Sequence, residues 1–313
     1  MKASPRIVFM GTPEFAVPSL EKLVEAGYPV VGVITATDKM GGRGGKQLLE
    51  SPVKKAAQRL DIPVLQPKNL KDSGFQEELR SLKADLQIVV AFRMLPEAVW
   101  DMPSLGTFNL HGSLLPKYRG AAPINWAVVK GELETGVTTF FIRHEIDTGD
   151  ILQQLRIPIG ENDTAGDVHD RMMHDGANLV VDTVRQIEGG DYALKKQDDG
   201  AATPAPKLNR EMARIDFDGP AREVHNFVRG LSPWPAAWTL LDGDQLKLIR
   251  TRVEAKRTDL APGTVVTDGK TQFKVACQDG FLYVHKLQLA GRKRMDIEEF
   301  LRGVDIAAGT LLG

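Results

Sequence analysis

The chain has 313 residues, 42% of them hydrophobic and 26% charged, with a formal net charge of -1. That length suits two domains, the composition is that of an ordinary globular protein, and the near-neutral charge excludes a polycationic nucleic-acid sponge or an acidic tail. The single cysteine, Cys277, excludes an intrachain disulfide; no apolar run approaches the ~20 residues of a membrane helix, and no secretory leader is visible, so a cytoplasmic protein is expected.

Residues 6–10 (RIVFM) read as a buried parallel strand, broken by Gly11-Thr12-Pro13. Apolar positions at Phe15, Val17, Leu20, Leu23 and Val24 then recur at helical period as far as Gly27. A strand over 29–35, a helix over 51–60, a short strand over 63–65 and a helix over 75–83 follow. Residues 86–92 and 107–111 are further strands, 123–130 a helix, 137–144 a strand and 164–186 a long helix. Strands alternating with helices predict an open, mostly parallel α/β sheet over residues 1–189.

The pattern changes after Gly189-Gly190. Residues 190–206 are polar, rich in Ala, Pro and Gly, and lack apolar periodicity, so they read as a linker. Over 207–313, a helix at 220–230 precedes short strands at 237–241, 246–253, 263–268, 273–276 and 281–289. Turn dipeptides such as Asp242-Gly243 separate them, as in a small β-barrel. This second half carries 17 Lys and Arg against 14 Asp and Glu, and the first half 23 against 27. A mildly basic barrel beside an acidic domain fits a polyanionic partner and equally fits ordinary scatter.

Several familiar chemistries fail on spacing. GTPEFA at 11–16 lacks the later glycines of a dinucleotide fingerprint. GGRGGKQ at 41–47 has Met40 and Gln47 where a Walker motif needs glycine and Ser or Thr; what remains is a mobile, basic, glycine-rich loop. His169 and His174 do not have the spacing of a helical zinc pair, so no metal is expected. The block TFNLHGSLLPKYRG at 107–120, followed by HEIDTGD at 144–150, differs in kind. It supplies an amide (Asn109), an imidazole (His111) and a carboxylate (Asp147). Asn109 and His111 lie two apart at the end of a strand, so both side chains face one way. Acyl-type transfer to an amine needs donors for a developing oxyanion and groups that move the amine's protons, and these three types provide both.

The chain resembles the folate-dependent formyltransferases. The resemblance rests on Asn109, His111, Ser113–Pro116, Arg119-Gly120 and Asp147-Thr148-Gly149, together with FMGTPEFAVPSL, SPVK, GAAPINWA, KLNREMARIDF, PWPAAW and LQLAGRKRM, which span both halves. It implies a Rossmann-like catalytic domain over 1–189, a linker over 190–206, and an OB-like β-barrel over 207–313 that binds tRNA. It implies 10-formyltetrahydrofolate as donor and the α-amine of initiator methionyl-tRNA as acceptor, in a monomer without metal. By the same resemblance Asn109, His111 and Asp147 are catalytic, Ser113, Leu114, Leu115 and Pro116 bind the folate, and Arg43 contacts the acceptor stem. Lys46, Arg292 and Lys293 are further candidate tRNA contacts, as are Lys247, Arg250, Arg252, Lys256 and Arg257. Arg93 stands where the family commonly carries glycine, in a segment expected to border the pterin pocket. A relative that formylates a UDP-linked amino sugar remains the alternative; those enzymes usually lack the basic insertion around Arg43.

Overall fold

The computed structural model describes residues 4–42, 44–307 and 309–313. The chain divides into two compact bodies, one of Met1–Arg119, Gly136–Ile157 and Asp170–Pro204, the other of Gly120–Thr135, Pro158–His169 and Ala205–Gly313.

In the first body, β1 (Ile7–Gly11), α1 (Val17–Glu25), β2 (Val30–Ile34), β3 (Lys39–Gly41), β4 (Gln47–Leu49), α2 (Pro52–Arg59), β5 (Val64–Leu65), α3 (Ser73–Ser81), β6 (Leu86–Val90), α4 (Glu97–Trp100) and β7 (Thr107–His111) follow in order. Next in chain order come β8 (Arg119–Gly120), α5 (Pro123–Val129, which belongs to the second body), β9 (Glu134–Phe141), β10 (Ile151–Pro158) and α6 (Ala165–Gly189, in the first body from Asp170 onward). One seven-stranded sheet runs β10-β9-β7-β6-β1-β2-β5. Its β1/β2, β1/β6, β2/β5 and β6/β7 pairs are parallel, and β7/β9 is antiparallel. Strands buried on both faces read as unbroken apolar runs, and both β1 and β6 are buried throughout. Val8, Met10, Ile34 and Val89 pack with Phe75 and Leu79 of α3. Strand order reverses between β1 and β6, and ligands bind open α/β sheets beyond the carboxyl ends of strands at such a switch.

Three expectations need correction. The glycine-rich loop is in part a two-stranded hairpin: β3 and β4 pair Met40 with Leu48, side chains that are both exposed and so give no burial pattern to read. The strand expected at 137–144 lies at Glu134–Phe141, because the backbone turns before Asp147. Strand β10 was not expected. Its burial follows no alternation, since Gln153, Gln154, Leu155 and Arg156 are all at least partly exposed at the sheet edge.

The second body carries β11 (Pro204–Ala205, only Ala205 belonging to it), α7 (Ala221–Gly230), β12 (Ala237–Leu241), β13 (Asp244–Glu254), β14 (Val265–Thr267), β15 (Phe273–Ala276), β16 (Phe281–Leu289), β17 (Met295–Asp296) and α8 (Ile297–Leu301). Its antiparallel sheet runs β12-β13-β16-β15-β14, with β17 on β16, so the expected barrel is a half-barrel. Alternate inward residues (Leu246, Leu248, Phe273, Val275, Leu282, Val284) enclose Phe300 and the apolar face of α7, led by Val224 and Val228. Among the described residues no helix is long and apolar enough to cross a membrane.

Candidate active site

Strand β7 lies inside the sheet, between β6 and β9. Phe108 and Leu110 point into apolar packing, which by strand alternation sends Asn109 and His111 to the other face. Asn109 is half-buried, and among the described residues its carboxamide has no protein partner.

The chain leaves β7 in an irregular loop that folds back on β9. His111 pairs in register with Thr138, and Thr138 locks the loop. Its hydroxyl donates to the Ser113 carbonyl (2.6 Å) and accepts from the Leu115 amide (3.1 Å) and Gln154 Nε2 (3.0 Å). Gln154 also donates to the Leu115 carbonyl at 2.9 Å. Leu115 is buried against Phe140 and Ile151. The Ser113 hydroxyl donates to the Lys117 carbonyl at 2.6 Å, and Ser113 is fully buried, so its hydroxyl is committed to holding the loop. Leu114 and Pro116 are half-buried.

The loop turns at Tyr118, whose φ is 61°, and brings its carbonyl to 2.9 Å from His111 Nε2. A carbonyl only accepts, so Nε2 carries a hydrogen and donates. The other nitrogen, Nδ1, lies 3.7 Å from Asp147 Oδ2, with the two side chains 6% and 13% exposed. That gap is too long for a hydrogen bond, and it is short enough for Asp147 to attract the ring whenever Nδ1 takes up a proton. It leaves Nδ1 as the ring nitrogen that can turn to a substrate. Phe140 meets the imidazole edge-on, with ring centres 6.5 Å apart.

Asp147 owes its place to an unusual backbone. Its φ is 55°, a left-handed conformation that Asp adopts more readily than most residues. Two residues on, a Cβ on Gly149 would run into the carbonyl of Phe141, so the turn requires glycine there. Gln197 Nε2 donates to the carbonyls of both Asp147 and Gly149, each at 2.8 Å. Gln197 lies in the segment expected as a linker, and that segment is packed here: Lys195 bridges to Ile151, and Gln197 is buried. Nothing in Lys-Lys-Gln-Asp-Asp distinguishes this glutamine from a solvated one.

The candidate tRNA contacts are scattered. Arg43 lies outside the described residues. Lys46 is exposed just before β4. Arg292 and Lys293 are exposed, and Lys293 pairs with Glu299 at 2.9 Å. Arg250 pairs with Asp167 at 2.9 Å, and the Arg252 guanidinium sits 4.3 Å from the centre of the Tyr283 ring. Lys247 is half-buried, whereas Lys256 and Arg257 are exposed. Arg93 donates to the carbonyls of Pro67 and Lys68, which commits its guanidinium to the loop after β5. Among the described residues no three His, Cys, Asp or Glu side chains are grouped to hold a metal ion.

Residues 5–184 match the model of the formyl transferase family, and residues 207–305 match that of the formyl transferase C-terminal domain. The chain belongs to the formyl transferase family. Relatives include the methionyl-tRNA formyltransferase of Bacteroides fragilis, 54% identical over 96% of each chain, and that of Parabacteroides distasonis, also 54% identical over 96% of each. A solved N-formyltransferase from Helicobacter canadensis, in complex with folinic acid and dTDP-3-aminofucose, shares the fold with a TM-score of 0.70 and 23% identity, over 90% of this chain and 98% of that one. The family's signature block thus falls on the end of β7 and the loop that encloses His111.

Proposed function

We propose that this chain transfers a formyl group from 10-formyltetrahydrofolate to the α-amino group of initiator methionyl-tRNA. Relatives of that name match over nearly the whole of both chains at more than half of their positions. One observation carries the chemistry: the Asn109 carboxamide, without a partner among the described residues, shares a strand face with His111, whose Nε2 is tied to a carbonyl and whose Nδ1 faces Asp147 across 3.7 Å.

The neutral methionyl amine attacks the formyl carbon, and negative charge builds on the formyl oxygen. Asn109 Nδ2 and the protonated His111 Nδ1 donate to that oxygen; one such donor typically lowers a barrier by about 3–4 kcal/mol. Asp147 attracts the imidazolium and accepts the proton that the attacking nitrogen loses. The proton passes to N10 of the folate as the carbon–nitrogen bond breaks, so tetrahydrofolate leaves neutral at that atom. The residues from Ser113 to Pro116 present backbone and apolar edges to the donor. All the proposed catalytic groups come from one chain, so a monomer suffices. Residues 1–189 act as the catalytic part and 207–313 as the tRNA-binding part, joined by 190–206. Arg43, Lys46, Arg292 and Lys293 hold tRNA phosphates, which makes binding fall with salt.

The test is direct. The purified chain is incubated with the formyl donor and methionyl-tRNA, a UDP-linked amino sugar, or water alone. Formyl-methionyl-tRNA is expected as the main product. Formylated sugar without formylated tRNA overturns the proposal in favour of the sugar alternative.

A further inference from the structure

Gln197 is buried, with 6% of its surface exposed, and every hydrogen-bonding position of its carboxamide is used. Its Nε2 donates to the Asp147 and Gly149 carbonyls, each at 2.8 Å. Its Oε1 accepts from Arg119 Nε at 3.1 Å and Nη2 at 2.8 Å. Arg119 itself is held by Asp199 at 2.8 Å. An arginine can only donate and a carbonyl can only accept, so the amide has one possible orientation, nitrogen toward the Asp147 turn. The turn it grips is the strained one, with φ of 55° at Asp147.

We propose that Gln197 is a positioning residue for formyl transfer: it pins the Asp147–Gly149 turn from behind so that the carboxylate faces His111. This rests on the reading of Asp147 and His111 given above. Left-handed backbone at a non-glycine residue persists only where its surroundings hold it, and here the holding bonds come from a residue 50 positions away. Arg119 belongs to the signature block itself. It links the loop that bonds His111 Nε2 to the glutamine that fixes Asp147, so one chain of bonds sets both partners of the imidazole. A misplacement of about 1 Å in such a group can cost about 100-fold in rate.

Gln197→Glu keeps the length and the Arg119 contact but turns an acceptor toward two carbonyls. Gln197→Met removes the bonds without adding a charge and serves if the buried carboxylate prevents folding. For the variant that folds, kcat is expected to fall about 10- to 100-fold, with KM for the folate and for methionyl-tRNA within about twofold of the parent. In an Asp147→Asn background the same change should cost no more than about twofold further, because Gln197 acts only through that carboxylate. Parental kcat in folded Gln197 variants, or a loss that multiplies in full with that of Asp147→Asn, overturns the inference and leaves the catalytic reading standing. Parental turnover in Asp147→Asn itself removes that reading, and this inference falls with it.

Discussion

Acidification should destabilise the second body through one buried histidine. His225, on α7, has no exposed surface. Its Nε2 lies 3.2 Å from the Glu161 carbonyl, so Nε2 donates, and its Nδ1 accepts from the Thr251 hydroxyl at 2.9 Å. That neutral tautomer satisfies both nitrogens, whereas a second proton on Nδ1 would meet a hydroxyl already donating. Burial, with Arg229 and Arg222 nearby, pushes the imidazole down from 6.5 to about 4, against the opposing pull of Glu161. The folded pKa is depressed, so below pH 6.5 the unfolded chain binds the extra proton and stability falls as pH falls. Linkage gives a loss of about 2 kcal/mol by pH 5 and about 3 kcal/mol by pH 4, relative to pH 7.5. Urea unfolding followed from pH 7.5 to pH 5 in the parent and in His225→Gln isolates the effect, because carboxylate titrations are common to both. The stability difference between them should shrink, or reverse, by about 2 kcal/mol over that range. A difference constant with pH refutes the reasoning.

Three further outcomes follow from packing and charge. Gly149→Ala drives a Cβ into the Phe141 carbonyl; it should cost about 1–3 kcal/mol in chemical denaturation and lower turnover, because the Asp147 turn must move. Lys54 lies between Asp38 and Glu50, which flank the β3–β4 hairpin, and contacts Glu50 at 2.7 Å. Hydrogen bonds from Lys54 and Gln66 hold the Asp38 carboxyl below its usual range. Lys54→Met leaves the two carboxylates facing each other and should raise KM for methionyl-tRNA while leaving folate affinity unchanged, as steady-state kinetics and folate titration will show. Burial pushes the Cys277 thiol up to about 12, so iodoacetamide at pH 8 should leave it unmodified in the native protein and alkylate it in urea, read by mass spectrometry.

Much of the fold was legible because burial and sequence pattern agree. Ile7–Gly11 and Leu86–Val90 are buried on both faces, and nearly continuous apolar runs suit that environment, Gln87 being the one buried polar side chain and hydrogen-bonded to Thr107. The bounds expected for Thr107–His111 and Phe281–Leu289 are the observed ones, although Phe281–Leu289 is only partly buried. Ile151–Pro158 was not legible, because an edge strand with Gln153, Gln154, Leu155 and Arg156 all at least partly exposed carries no period. The residue types of the candidate site were visible in the signature block, and their spacing put Asn109 and His111 on one strand face. What holds them was not visible. The partner of His111 Nε2 is a main-chain carbonyl, which leaves no trace in residue identity. Thr138 and Gln154 act through hydrogen bonds to backbone in the same way, and Gln197 sits in a polar stretch that composition alone assigns to solvent.

The central claim is that Asn109, His111 and Asp147 work on one reacting carbonyl. Single-turnover formylation of methionyl-tRNA by parent, His111→Ala and Asp147→Asn, with folding checked by circular dichroism, tests it most directly. A loss of about 100-fold or more in each single variant is expected, with the double variant little worse than either alone. Rapid formyl transfer by a well-folded His111→Ala protein would contradict the account.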